Sequence, residues 1–117
     1  MIPFQFNIDI IDELEKALPG YDLITPQFVI DELIGLKNNK KSKIRVNANL
    51  ALKITNSPSI KIKDIPLKDN ESVDDALIRI SKILATNDIE LRKRAKAKGI
   101  VVAYLRQKRY ISIDGKL

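Results

Sequence analysis

Neither cysteine nor histidine occurs among the 117 residues. Without Cys there is no disulfide, thiol nucleophile or thiolate metal site, which agrees with a reducing cytosol. Losing His excludes more. Neither Ser-His-Asp nor Cys-His machinery can be built, nor an ordinary zinc centre. Any chemistry therefore rests on carboxylates, Lys, Arg, Ser, Thr or Tyr, and carboxylates acting alone usually work through a hard cation such as Mg²⁺ or Mn²⁺. Long apolar runs are missing too, as is a basic N-terminal stretch leading into an apolar one, so a membrane span or secretory signal is not expected. A soluble, cytoplasmic protein is.

Aromatics are few, at 5%, but 44% of residues are hydrophobic, enough for a folded core. The length suits one domain spanning residues 1–117. The formal net charge is +6 and the pI about 9.6, which favours a polyanionic partner such as RNA.

Along the chain, Asn7 followed by Ile8, Ile11, Leu14 and Leu18 reads as an amphipathic helix stopped by Pro19-Gly20. A short strand is expected over 22–25. Thr25-Pro26 reads as a helix entry, Thr as cap and Pro at the first helical position, leading into QFVIDELIGL with Phe28, Val29, Leu33 and Leu36 on its apolar side. After the polar NNKKSK, the spacing of Ile44, Ala48, Ala51, Leu52 and Thr55 predicts a helix over 42–55 ending before Asn56-Ser57-Pro58. SIKIKDI alternates and reads as a strand. Ser72 is an N-cap for a helix over 73–81, with Asp75 as the acidic part of a capping box. KILAT is a brief strand, Asp88 opens a helix that Gly99 closes, IVVAYL is a strand buried on both faces, and RQKRYISI adds an edge strand. Alternating strands and helices imply a three-layer α/β/α fold with a mostly parallel sheet, whose ligands sit beyond the carboxyl ends of the strands.

Glu32, Asp74 and Asp88 all fall early in helices that surround such an edge. Their ordinary explanation is that acids there complement the helix dipole and cap free N–H groups. The functional one is that three carboxylates converging on one edge repel each other unless a cation lies between them.

The segments TPQFVIDEL, VDDALIRI and ILATNDIELRKRAKAKGIVVAYLRQKRY resemble the second, third and fourth acidic motifs of PIN-domain ribonucleases, especially the archaeal branch. The resemblance covers nearly the whole chain, and ATNDIELRKRAKAKGI is its most specific part. It implies a parallel sheet flanked by helices and an acidic cluster holding Mg²⁺ or Mn²⁺, which would activate water for attack on an RNA phosphodiester. Carried over, Glu32 matches the second acid, Asp74 the third, with Asp75 as its competitor, and Asp88 the fourth. Thr86 resembles the hydroxyl residue that orients the fourth acid. The family begins with an apolar strand ending in an Asp-Thr-Asn-like motif, which MIPFQFNIDI does not contain; the resemblance implies a start assigned at an internal Met, or a remnant. A missing first strand would leave neighbouring strands with unpaired edges, so a homodimer or a swapped segment is expected.

RKRAKAK at 92–98 lies on a helix whose Leu91 and Ala95 turn inward. Its charges are either a solubilising face or a phosphate-binding surface built from Arg92, Lys93, Arg94 and Lys96, extended by Arg106, Lys108 and Arg109. The functional expectation is a metal-dependent endoribonuclease, in RNA processing beside a ribosome-processing partner or as a toxin with an antitoxin partner. Its rival is a non-catalytic RNA- or protein-binding module of the same fold.

Overall fold

The computed structural model describes residues 9–107 and 109–117. A helix start at Asn7, and Lys108, lie outside the described residues. The observed first cap is Asp9, whose Oδ1 accepts the Asp12 N–H at 3.0 Å, and α1 (Ile10–Ala17) follows it. Then come β1 (Leu23–Pro26), α2 (Gln27–Leu36), α3 (Ser42–Thr55), β2 (Ile60–Lys63), α4 (Val73–Ile80), β3 (Ile83–Ala85), α5 (Ile89–Ala97), β4 (Val101–Arg106) and β5 (Tyr110–Asp114).

The second helix enters differently from its sequence reading. Pro26 closes β1 and stands at the cap with an extended ψ of 146°, so Gln27 rather than Pro26 is the first helical residue and Thr25 is not the cap. The ring fixes only φ, and pairing with β2 decides ψ. Ile30 is buried beside Phe28 and Leu33, whereas Val29 and Leu36 are half-buried. By contrast, Ser72 caps α4 through the Asp75 N–H, and Gly99 ends α5 at a φ of +77°, a conformation that costs glycine little.

The described strands form two sheets. β1 pairs with β2 in parallel, with Leu23 opposite Ile60. β3 pairs with β4 in parallel and β4 with β5 antiparallel. Sheet membership leaves β1 and β3 each at an edge. Leu23 of β1 and Ile83 of β3 nevertheless pack against one shared apolar cluster.

Side chains alternate across a strand, and β4 uses both faces. Ala103 and Leu105 join Ile111 against Ile10, Leu14 and Leu18 of the α1 segment. Val102 points the other way and packs with Leu84, Leu91, Ala95 and Ile100. Helices thus cover both sides of the β3-β4-β5 sheet, giving the α/β/α layering, and β4 is buried on both faces as its unbroken apolar run requires. Each aliphatic side chain fully removed from water there contributes about 1.5–3 kcal/mol. Among the described residues no helix is long and apolar enough to cross a membrane.

Candidate functional site

Thr86-Asn87-Asp88 links β3 to α5, and each of its side chains has a separate structural task. Among the described residues Thr86 is the one buried polar side chain, 4% exposed. Its N–H donates to the Ala103 carbonyl at 3.0 Å, continuing the β3–β4 ladder, and its Oγ1 accepts the Asp88 N–H at 3.2 Å. Asp88 in turn caps α5, its Oδ1 accepting the Leu91 N–H at 3.0 Å. Asn87 lies between them and its Oδ1 accepts the Leu105 N–H at 2.7 Å. β3 ends at Ala85, so the Asn87 side chain takes the place of the strand carbonyl that Leu105 would otherwise lack. The sequence reading missed Asn87. Its only signal is a short amide between two capping residues, where the backbone must turn out of a strand.

Glu32 and Asp74 come together because α2 packs on α4. Burial pushes the Glu32 carboxyl above its usual range, and the neighbouring Asp74 charge pushes it further the same way. Asp75, one residue on, is committed elsewhere. Its carboxylate is bound by the Arg94 guanidinium of α5, which with the Ser72 side chain holds its acidity below the usual carboxylate range. Ser72 holds Asp75 at the start of α4, as its place in the capping box implies, and the Arg94 ion pair ties the same carboxylate to α5 as well. Asp74 has no ion-pair partner among the described residues. No three acidic side chains among the described residues gather closely enough to form a metal cluster, so Asp88 stands apart from the Glu32–Asp74 pair.

The basic side chains of α5 are largely engaged within the protein. Leu91 and Ala95 are buried as expected. The Arg92 guanidinium lies 4.3 Å from the centre of the Tyr104 ring, Arg94 binds Asp75, and Lys96 meets Asp114 at 2.9 Å. Lys93, Arg106 and Arg109 are exposed. Two of the five cations of RKRAKAK are thus neutralised by ion pairs and a third is stacked on an aromatic ring, which leaves Lys93 and Lys98 as its exposed charges without an ion-pair partner among the described residues.

A family model described as a PIN like domain matches residues 1–108. The chain belongs to the PIN-like domain family. Among its relatives, Ribonuclease VapC4 of Methanocaldococcus jannaschii is 31% identical over 122 residues, covering 96% of this chain and 88% of that protein. Ribonuclease VapC9 of Archaeoglobus fulgidus is 29% identical over 106 residues, covering 91% of this chain and 76% of that protein.

Within this PIN-like chain, the Glu32–Asp74 pair is the part of the acidic set whose chemistry fits a divalent cation. Both donors are hard oxygens, and Mg²⁺ is commonly held by one or two carboxylates with water completing its shell. The Asp74 charge that raises Glu32 is the repulsion a cation between them would relieve.

Proposed function

We propose that this PIN-like chain is a metal-dependent endoribonuclease cleaving RNA phosphodiesters, with Glu32, Asp74 and Asp88 as its acidic set and Asp75 as the alternative third member. The observation that carries the reading is the family match over residues 1–108, together with a repelling Glu32–Asp74 pair in a chain without His or Cys. Held by Glu32 and Asp74, Mg²⁺ or Mn²⁺ would supply an activated water and stabilise charge on the phosphate. The chain's own part is positional. Thr86 fixes the Asp88 backbone, Asn87 pins that turn to β4, and Arg94 draws Asp75 away from the pair. The same reading takes residues 1–117 as one domain. The ribonuclease relatives favour a toxin working with an antitoxin over a role in ribosome processing. A second copy would pair with the edges of β1 and β3, and a monomeric mass in solution refutes that dimer.

The test is cleavage of a labelled RNA in Mn²⁺ and in EDTA, by this chain and by a form extended with a strand ending in Asp-Thr-Asn. Cleavage in Mn²⁺ alone supports the reading, and cleavage by the extended form alone adds a required first acid. Asp74→Asn should abolish cutting, and Asp75→Asn should reduce it less. If neither form cuts, the non-catalytic binding module replaces the nuclease.

A further inference from the structure

Most of the free positive charge among the described residues lies outside α5. Residues 33–63 hold eight of the 21 Lys and Arg and none of the 15 Asp and Glu, so the rest of the chain is slightly acidic. That segment is the end of α2, the connection to α3, α3 itself and β2. All eight of its cations are exposed, and among the described residues only Lys61 forms an ion pair, with Asp22 at 3.3 Å. Unlike the α5 charges, these have almost no internal task.

Their arrangement on α3 is regular. Arg45, Asn49, Lys53 and Asn56 recur at intervals of four, four and three, so they share one face, roughly 6 Å apart per turn. All four are exposed. Fully buried Ala48, through which α3 packs, lies roughly a quarter-turn around the helix from that face. At the start of the stripe, one Arg45 nitrogen donates to the Asn39 carbonyl at 3.2 Å and the Lys41 N–H donates to Asn39 Oδ1 at 2.9 Å, which ties the connection carrying Lys40 and Lys41 beside the helix. At its far end Asn49, Lys53 and Asn56 line a groove of about 620 Å³ whose floor is Ile30, Leu52 and Ile62, the last 49% exposed.

We propose that this α3 stripe and its groove are the RNA-docking surface, a place distinct from the acidic pair; the proposal rests on the ribonuclease reading for its choice of polyanion. Arg45 and Lys53, two turns or about 12 Å apart on one face with no acid in their segment, suit a phosphodiester backbone, which is bound by charge without regard to sequence. The amides of Asn49 and Asn56 each offer a donor and an acceptor, which nucleotide bases satisfy and a run of carboxylates does not. The apolar floor accepts an unstacked base. The surface lies away from the acids, because Ile30 in the groove and Glu32 are roughly 160° apart around α2. It therefore holds a stretch of RNA remote from the bond being cut.

The experiment measures binding of a labelled single-stranded RNA in EDTA across a salt series, with thermal melts showing that each variant folds. Two lost phosphate contacts lower the slope of log K against log salt by about 1.4, which is roughly a 25-fold loss of affinity at 0.1 M salt. Arg45→Gln with Lys53→Gln should show that loss, and Lys93→Gln with Lys98→Gln on α5 a smaller one. An unchanged slope in the α3 pair, or a larger loss in the α5 pair, overturns the proposal. So does a wild-type chain that ignores RNA but binds a polyglutamate peptide through Arg45 and Lys53. Because EDTA removes cleavage from the assay, a chain that binds RNA through α3 yet never cuts it in Mn²⁺ refutes the nuclease while leaving the surface standing.

Discussion

Asp88 has two explanations that a pair of substitutions separates. Asp88→Asn keeps an oxygen at the position where Oδ1 accepts the Leu91 N–H, and removes the charge. Asp88→Ala removes both. Asn and Asp are near-equal caps, so the first change costs only a few tenths of a kcal/mol through the helix dipole, while the second costs about 1 kcal/mol. An unfolding entropy of about 2.1 cal/mol/K per residue makes each kcal/mol worth about 4 °C of Tm in a chain of this size. Calorimetric melts should therefore place Asp88→Asn within about 2 °C of wild type and Asp88→Ala about 4 °C below it. If Asp88 also serves the metal-assisted chemistry, several kcal/mol of transition-state stabilisation disappear in both, at least about 100-fold in Mn²⁺-dependent cleavage. Undiminished cleavage by Asp88→Asn would reduce Asp88 to a cap. A melt as low as that of Asp88→Ala would refute the argument that the acceptor, rather than the charge, holds α5.

The remaining expectations concern the surroundings of the acids. Glu32 has its carboxyl raised by burial and by Asp74, so ionising it costs stability as pH rises from its ordinary 4.5 through the raised value. Glu32→Gln should melt no lower than wild type at pH 7 and lose the benefit that added Mn²⁺ gives wild type; a lower melt at pH 7 contradicts this. Glu71 is held down to about 2 by Arg79, which binds it through two contacts of 2.8 Å, and by the Lys68 N–H. That contribution is complete above the ordinary 4.5 and fades as pH falls toward 2, so the stability difference between wild type and Arg79→Ala should shrink over this window. A difference in urea midpoint that stays constant from pH 5 to 2.5 would rule it out. Asn87→Ala strands the Leu105 N–H at a cost of about 1–3 kcal/mol, visible as faster hydrogen exchange at Leu105; unchanged exchange there would show that another acceptor replaces it.

Much of the fold is legible in the sequence because it is set locally. Gly99 can adopt a positive φ, Ser72 and Asp88 accept N–H bonds three residues on, and an apolar run such as VVAYL cannot face water on either side. Each of these is a property of one residue and its near neighbours. The departures are equally local in appearance and distant in cause. Thr25-Pro26 has the chemistry of a helix entry, but strand pairing with Ile62 and Lys63 keeps Pro26 extended. RKRAKAK has the composition of an open basic face, but Tyr104, Asp75 and Asp114 reach it from three other elements.

The acids divide along the same line. Residue types alone exclude His and Cys chemistry, and local patterning alone places Glu32, Asp74 and Asp88 at the start of helices or within them. It left Asp74 and Asp75 as rivals, since two adjacent acids on one turn look alike. Only the packing of α2 and α5 against α4 decided that Asp74 faces Glu32 while Asp75 is neutralised by Arg94. The location of the free charge followed the same rule. Counting cations along the chain needs no coordinates, but knowing which of them are already spent requires their partners, and ion-pair partners are chosen by proximity in space.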